Sequence, residues 1–238
     1  MFARLDRVFI ISELHPQHEG NMETLKTMIL QSKFAGADAI KLQLYNSEKL
    51  LGNNSKQFAE ISFDELAEIK NYSDIISIDV FASCFDEEKI DWCERLDFKY
   101  HKVASKMHSN SKLCEKIINC KKPTLISNGI SPSFEYGVHS NVKYLYCVSQ
   151  YPTLLEDIHL PDFKNHPWYI GYSDHTFGIS ACKVAVSRGA KIIEKHFTLS
   201  KSLQSTTTKA HLGAMTVDEL VELRKFCDDY SAIGDFCD

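Results

Sequence analysis

The stretch VFIISELHPQHEGN, residues 8–21, decides the fold. Its first half is an apolar run of strand length, and its second half breaks into a turn. An open doubly wound sheet that begins on such a strand ordinarily has a glycine-rich first turn, and ELHPQHEGN (13–21) is not one. Outward from this point, β-rich runs alternate with segments of helical periodicity along the whole chain. The strand candidates are 8–14, 39–45, 76–81, 100–104, 124–127, 143–148, 169–172 and 192–196. Between them apolar residues recur at helical spacing, as in Met22, Leu25 and Ile29, or Ile179, Cys182 and Val186. Ser62 with Glu65 and Thr216 with Glu219 read as capping boxes, Asp86 as a further cap, and Gly36 and Gly189 as stops.

Strand and helix repeated in this way require right-handed crossovers and a parallel sheet, and eight units predict closure. The expected fold class is α/β, a (β/α)8 TIM barrel, forming a single domain over 1–238 because no Pro-, Gly- or Ser-rich linker divides the chain. An open doubly wound sheet is the alternative.

Composition narrows the function. With 44% apolar and 25% charged residues the chain is not disordered. Lys and Arg total 27 against 32 Asp and Glu, a net charge of -5 that offers no basic stripe to nucleic acid or to an anionic membrane. The longest apolar runs fall far short of the roughly 20 residues of a membrane helix, and the N-terminus runs into a strand without a signal-peptide core. Eight cysteines show no C-x-x-C pair and sit among apolar neighbours, as reduced core thiols do. A soluble, cytoplasmic protein without nucleic-acid or membrane partners is expected.

In a barrel, function sits where strands end and βα loops begin. The ends here carry Glu13, His15 and His18; Lys41 and Gln43; Ser83; Lys102 and Ser105; Ser127 and Asn128; Ser149 and Gln150; Ser173, Asp174 and His175; Glu194 and His196. Charged groups among inward strand positions, namely Lys41, Lys102, Glu194 and His196, need partners or ligands to offset desolvation. His175 and His196 close neighbouring strands, roughly 5 Å apart in a sheet, so their imidazoles can converge on one ion. Two histidines leave positions open to water, substrate oxygen or a carboxylate, which suits Mn, Mg, Fe, Co or Zn alike; hydrogen-bonded structural histidines are the alternative. Lys41 and Lys102 with the hydroxyls of Ser83, Ser105, Ser127 and Ser149 suit a phosphate or carboxylate, although any one serine could equally serve a strand-end hydrogen bond. Glu13 could work as general acid or base, orient a substrate hydroxyl, or be the salt-bridge partner of Lys41 or Lys102. Asp174 could orient a ligating histidine, and Tyr151-Pro152-Thr153 reads as a structural turn.

The runs SELHPQHEGN (12–21), AGADAIKLQLY (35–45), FASCFD (81–86), YHKVAS (100–105), KPTLISNGIS (122–131), LYCVSQYPTLLEDIHL (145–160), IGYSDHTFGI (170–179) and GAKIIEKHFTL (189–199) resemble, in order, the barrel domain of the sialic acid (N-acetylneuraminate) synthase family. The resemblance implies condensation of phosphoenolpyruvate (PEP) with a sugar aldehyde to a 2-keto-3-deoxy sugar acid, in a homodimer. C3 of PEP attacks the aldehyde, water adds at C2, and phosphate leaves by C–O cleavage. It implies that His175 and His196 hold a divalent metal, Mn or Mg, and that Glu13 is the active-site glutamate. Gln43, Ser83, Ser105, Ser127, Ser149 and Ser173, with the two lysines, fall on or beside positions that hold PEP. Glu13, Lys41, Lys102 and His196 are the expected catalytic residues.

Departures from the family pattern are also visible. Family members generally continue into a small antifreeze-like domain, which the 238 residues do not include, and Thr207 stands about where a sugar-contacting acid belongs. Lys106, Asn128 and Cys84 replace a small residue, a threonine and a proline. These departures from the family pattern point to an acceptor other than N-acetylmannosamine. A degenerate barrel that binds a ligand or a partner synthase without turnover, and a metal-dependent aldolase or lyase acting on a 2-keto acid, are the rival readings.

Overall fold

Eight short parallel strands follow one another in space as they do in the chain and close into a barrel: β1 Phe9–Glu13, β2 Ala39–Leu44, β3 Asp79–Cys84, β4 His101–Val103, β5 Thr124–Asn128, β6 Val142–Tyr146, β7 Tyr169–Asp174 and β8 Ile192–His196. The structure is a computed structural model and describes residues 6–130, 132–202 and 212–234. The closed barrel expected from the strand count is what forms, with β1 paired to β8.

The helices start where the chain supplies an acceptor for their first N–H groups. In α1 Met22–Phe34, Asn21 accepts from the N–H of Thr24 at 2.8 Å. In α3 Phe63–Ile75, Ser62 and Glu65 form the expected capping box. In α4 Glu87–Arg95, Asp86 accepts from Lys89 N–H at 3.0 Å. In α7 Val217–Gly234, Thr216 and Glu219 exchange both bonds. A short α2 Ser47–Leu51, α5 Ser111–Asn119 and α6 Ser180–Ser187 complete the set of described α-helices. No described helix is long and apolar enough to cross a membrane. Helix α1 buries one stripe on the barrel, Leu25, Met28 and Ile29, and each such side chain contributes about 1.5 to 3 kcal/mol.

Strand limits moved where a helix cap competed with an apolar run. The 76–81 expectation for β3 shifts to Asp79–Cys84 because Ile76 caps α3 and Ser77 turns the chain at φ 57°. That shift brings Ser83 inside the strand. β7 runs two residues longer than expected, to Asp174, and β6 ends at Tyr146, leaving Cys147 to Gln150 as loop. The connections after β5 and β6 carry 3-10 turns, Glu135–Val138 and Leu155–Asp157, where α-helices follow most other strands.

Inside, one end of the barrel is closed by rings: Phe81 meets Tyr100 edge to face with centroids 5.7 Å apart, and Phe9 meets Tyr100 at 6.3 Å. Above this plug the inward positions turn polar. Gly171 keeps β7 close to β8 here, since a Cβ would lie 2.1 Å from the carbonyl oxygen of Ile192.

Candidate active site

Register and the period of two place the side chains. Glu13 pairs with Lys41 on one side and with His196 on the other. Gln43 pairs with Ser83, Ser83 with Lys102, and Ser173 with Glu194. These residues share one parity, and they meet around a cavity of about 280 Å³ at the carboxyl ends of the strands. Of the candidates read from the sequence, Glu13, Lys41, Gln43, Lys102, Ser105, Ser127, Ser149, Ser173, His175 and His196 line it. Ser83 lies behind the lining, its hydroxyl accepting from Lys41 Nζ at 3.3 Å. Thr207 lies outside the described residues.

The floor is a buried four-charge network. Lys41 Nζ is ion-paired with Glu13 Oε2 and stands 3.5 Å from Glu194 Oε1. Lys102, 1% exposed, donates to Ser127 Oγ at 2.6 Å and lies 3.8 Å from the same Glu194 oxygen. Ser173 Oγ donates to that oxygen at 3.0 Å, while Glu194 Oε2 is buried without a hydrogen-bond partner. The salt bridge weighed for Glu13 is formed, and with Lys41.

Two carboxylates in one network are driven apart in acidity. Burial, with the Glu194 charge adding to it, pushes the Glu13 carboxyl up against the opposing Lys41 ammonium. For Glu194 burial acts the same way, but Lys102 and Lys41 outweigh it and hold the carboxyl below its usual range. Burial disfavours the Lys41 ammonium too, yet Glu13 and Glu194 keep it charged. Lys102 is pushed down by burial. A carboxyl that exchanges its proton beside one that stays ionised is the arrangement acid–base chemistry uses.

One corner of the cavity is made of donors. The N–H groups of Gly129 and Ile130 donate to Ser105 Oγ at 3.2 and 3.0 Å, and Ser149 Oγ donates to the same oxygen at 2.7 Å. Three donors on one hydroxyl oxygen mark a place suited to an anionic oxygen.

The two imidazoles stand at the ends of β7 and β8, their ring centroids 6.1 Å apart. His175 Nδ1–H donates to the carbonyl of Val148 at 2.8 Å, which leaves Nε2 as the lone-pair nitrogen. Burial lowers the His175 pKa to about 4, so the ring is neutral, the form that ligates a metal. A divalent cation suits a donor pair of two imidazoles lining one cavity, its remaining positions open to water or substrate oxygen. A second cluster of ligating type, Glu94, His101 and Cys120, lies elsewhere, at the start of β4 and the ends of α4 and α5, with Lys122 Nζ 3.2 Å from Glu94 Oε1.

Three strand-end residues have other employment. Asp174 does not orient His175. It faces outward with Lys195, whose ammonium is 2.6 Å away, and its oxygens also accept from Tyr172 Oη, Thr176 N–H and Cys182 Sγ. Removing one partner of so buried a pair costs about 3 to 5 kcal/mol. Asp174→Asn is therefore expected to lower the unfolding free energy by that amount in urea titration; a loss below about 1 kcal/mol would mean that the pair does not matter. His15 and His18 form a chain: Gly20 N–H donates to His18 Nδ1, His18 Nε2–H to His15 Nδ1, His15 Nε2–H to Tyr45 Oη, and Tyr45 to the carbonyl of Lys56.

The sequence profile of the NeuB family matches residues 28–234. The chain belongs to the NeuB family. This NeuB-family chain is 31% identical to the pseudaminic acid synthase of Campylobacter jejuni, over 96% of its own length and 76% of the relative's. It is 29% identical to the human N-acetylneuraminate-9-phosphate synthase, over 90% and 68%. A crystal structure of N-acetylneuraminic acid synthetase from Leptospira borgpetersenii, in complex with citrate, superposes with a TM-score of 0.87 at 30% identity, over 95% of this chain and 85% of that one. Against curated relatives named as synthases the chain spans 64 to 76% of the relative's length.

Sequence reading left four polar lining residues without a role. Glu194 was visible as a buried charge, and its parity with His196 on β8 was the available signal. Tyr151 was read as a turn, but its ring centroid lies 4.1 Å from that of His175, the two planes tilted by 41°. Lys56 and Lys106 come from loops, where no periodicity announces which way a side chain faces.

Proposed function

We propose that this chain condenses phosphoenolpyruvate with an aldehyde sugar, an N-acylhexosamine or a related compound, giving a 2-keto-3-deoxy sugar acid such as a sialic acid and releasing phosphate. The observation that carries this reading is the network of Lys41 and Lys102 with Glu13 and Glu194, in one buried cavity with two imidazoles and a donor-lined corner. Relatives named for pseudaminic acid and N-acetylneuraminate 9-phosphate synthesis support the same reaction class.

The C2–C3 π electrons of PEP form the new bond to the aldehyde carbon, and the aldehyde oxygen takes a proton. Water adds at C2 and loses a proton; the C2–O bond to phosphate then breaks as the ketone forms. Lys41 and Lys102 neutralise the carboxylate and phosphate of PEP, and the corner at Ser105 and Ser149 directs hydrogen bonds to their oxygens. Ser83, Ser127, Ser173 and Gln43 hold the lysines and Glu194 in place or reach the substrate from the wall. Glu13, with its raised pKa, takes the proton of the attacking water. A divalent cation, Mn or Mg, held by His175 and His196 would supply Lewis acidity toward the aldehyde. The proposal includes a cytoplasmic homodimer in which residues 1–238 form one catalytic domain.

Phosphate release from PEP, followed with Mn and a panel of hexosamines and smaller aldehydes and with product identified by mass, tests the reaction. Binding has its own expected outcome. At about 100 times its Kd, PEP adds ~2.7 kcal/mol to the unfolding free energy. A thermal unfolding midpoint indifferent to PEP, with Mn present, would remove this reading.

A further inference from the structure

Four lysines line the cavity, and the condensation reading employs two of them. Lys56 and Lys106 line the same space, and among the described residues neither ammonium has an ion-pair or hydrogen-bond partner. Both positions are nevertheless built. Lys56 is held through its backbone: its N–H donates to Ser47 Oγ at 3.1 Å and its carbonyl accepts from Tyr45 Oη at 3.2 Å, the end of the His18–His15–Tyr45 chain. The first loop packs hard against this segment, since at Gly20, with φ +77°, a Cβ would lie 1.9 Å from the carbonyl oxygen of Phe58. Lys106 follows β4, and its ammonium stands 4.6 Å over the ring of the buried Phe85. Burial, and then the charge of Lys56, depress the pKa of Lys106.

Their place in the barrel says what they face. With eight strands closed in order, β4 lies diametrically across from β8, and Lys56 rises between β2 and β3. His175 and His196 close β7 and β8. A linear acceptor whose aldehyde is engaged beside the imidazoles therefore directs its far end across the mouth toward Lys56 and Lys106. Two neighbouring ammoniums without a protein counter-ion are balanced by a dianion, where a single carboxylate balances one. We propose that Lys56 and Lys106 form an anion site for the acceptor, which carries a phosphate ester at the end remote from its aldehyde. This rests on the condensation reading and deepens it. Family membership leaves the question open, because named relatives make sugar acids both with and without a phosphate.

The test compares N-acetylmannosamine with its 6-phosphate as acceptors, with PEP and Mn, in the full chain and in the Lys56→Gln/Lys106→Gln double variant. The quantity read is the ratio of the two kcat/KM values, which cancels any loss of folded enzyme. The wild type is expected to favour the phosphorylated sugar by at least about tenfold per ammonium contact, and the double variant to bring the ratio close to one. A wild-type ratio near one overturns the proposal. So does a ratio unchanged in the double variant, including the case where only the KM for PEP rises, which would assign both lysines to PEP. If neither sugar supports phosphate release, the condensation reading has failed, and calorimetric titration of the two sugars decides the anion site alone. Preferential binding of the 6-phosphate that the double variant loses sustains the site; equal binding of both sugars overturns it.

Discussion

Lys102→Met is expected to reduce kcat/KM for PEP by roughly 30- to 5000-fold while the barrel still folds. Methionine matches the length of the lysine stem, so packing at this 1%-exposed position survives, but the ammonium is gone. Its removal has two consequences in the network. Ser127 loses the donor at 2.6 Å, and among the described residues Glu194 keeps Lys41 as its one ammonium neighbour, at 3.5 Å. Truncating one partner of a desolvated charge pair costs about 2 to 5 kcal/mol, which is where the expected range comes from. The matching measurement is steady-state kinetics at saturating acceptor, with circular dichroism and the urea midpoint as folding controls. A loss smaller than about threefold in a folded variant would show that PEP does not lean on Lys102.

The second large effect is on metal. His175→Ala and His196→Ala are each expected to weaken Mn binding by more than the roughly 10- to 100-fold seen when a group that merely orients a ligand is removed. The argument is geometric. Both rings line one cavity with centroids 6.1 Å apart, and the Nδ1–H bond of His175 to Val148 aims its other nitrogen away from the backbone. Equilibrium dialysis or electron paramagnetic resonance of added Mn reads the affinity directly. Glu94→Ala and Cys120→Ser serve as the control, because that cluster offers three ligand types within 4.8 Å at a different place in the fold. Stoichiometric Mn retained by the histidine variants and lost by the control pair would move the metal site to the start of β4.

Strand number, closure and the parity of the polar positions were legible in the sequence because each follows from a local period. The limits of β8, Ile192–His196, came out as read. What could not be read is pairing across strands. Glu13 had two lysines to choose from, and only register settles that Lys41 is its neighbour. Glu194 could be recognised as a charge in need of company, but its position between two ammoniums depends on side chains from three strands meeting. Asp174 misled for the opposite reason: next to a histidine in sequence, it faces the other side of the sheet, where Lys195 awaits it. β3 shifted because Ile76, apolar and β-branched, serves a helix cap as readily as a strand.

The run Glu194-Lys195-His196 alternates in, out, in along β8, with Glu194 and His196 at the mouth and the lysine behind the sheet. A slip of this strand by one residue would exchange every face at once. Lys195 would enter the mouth beside Lys41 and Lys102, three cations without Glu194 to separate them, while Glu194 and His196 would be forced outward among packed aliphatic groups and Asp174 would lose its counter-charge. The misaligned barrel is thus repelled by the very charges that serve the aligned one, and the strand that closes the ring also proofreads its assembly.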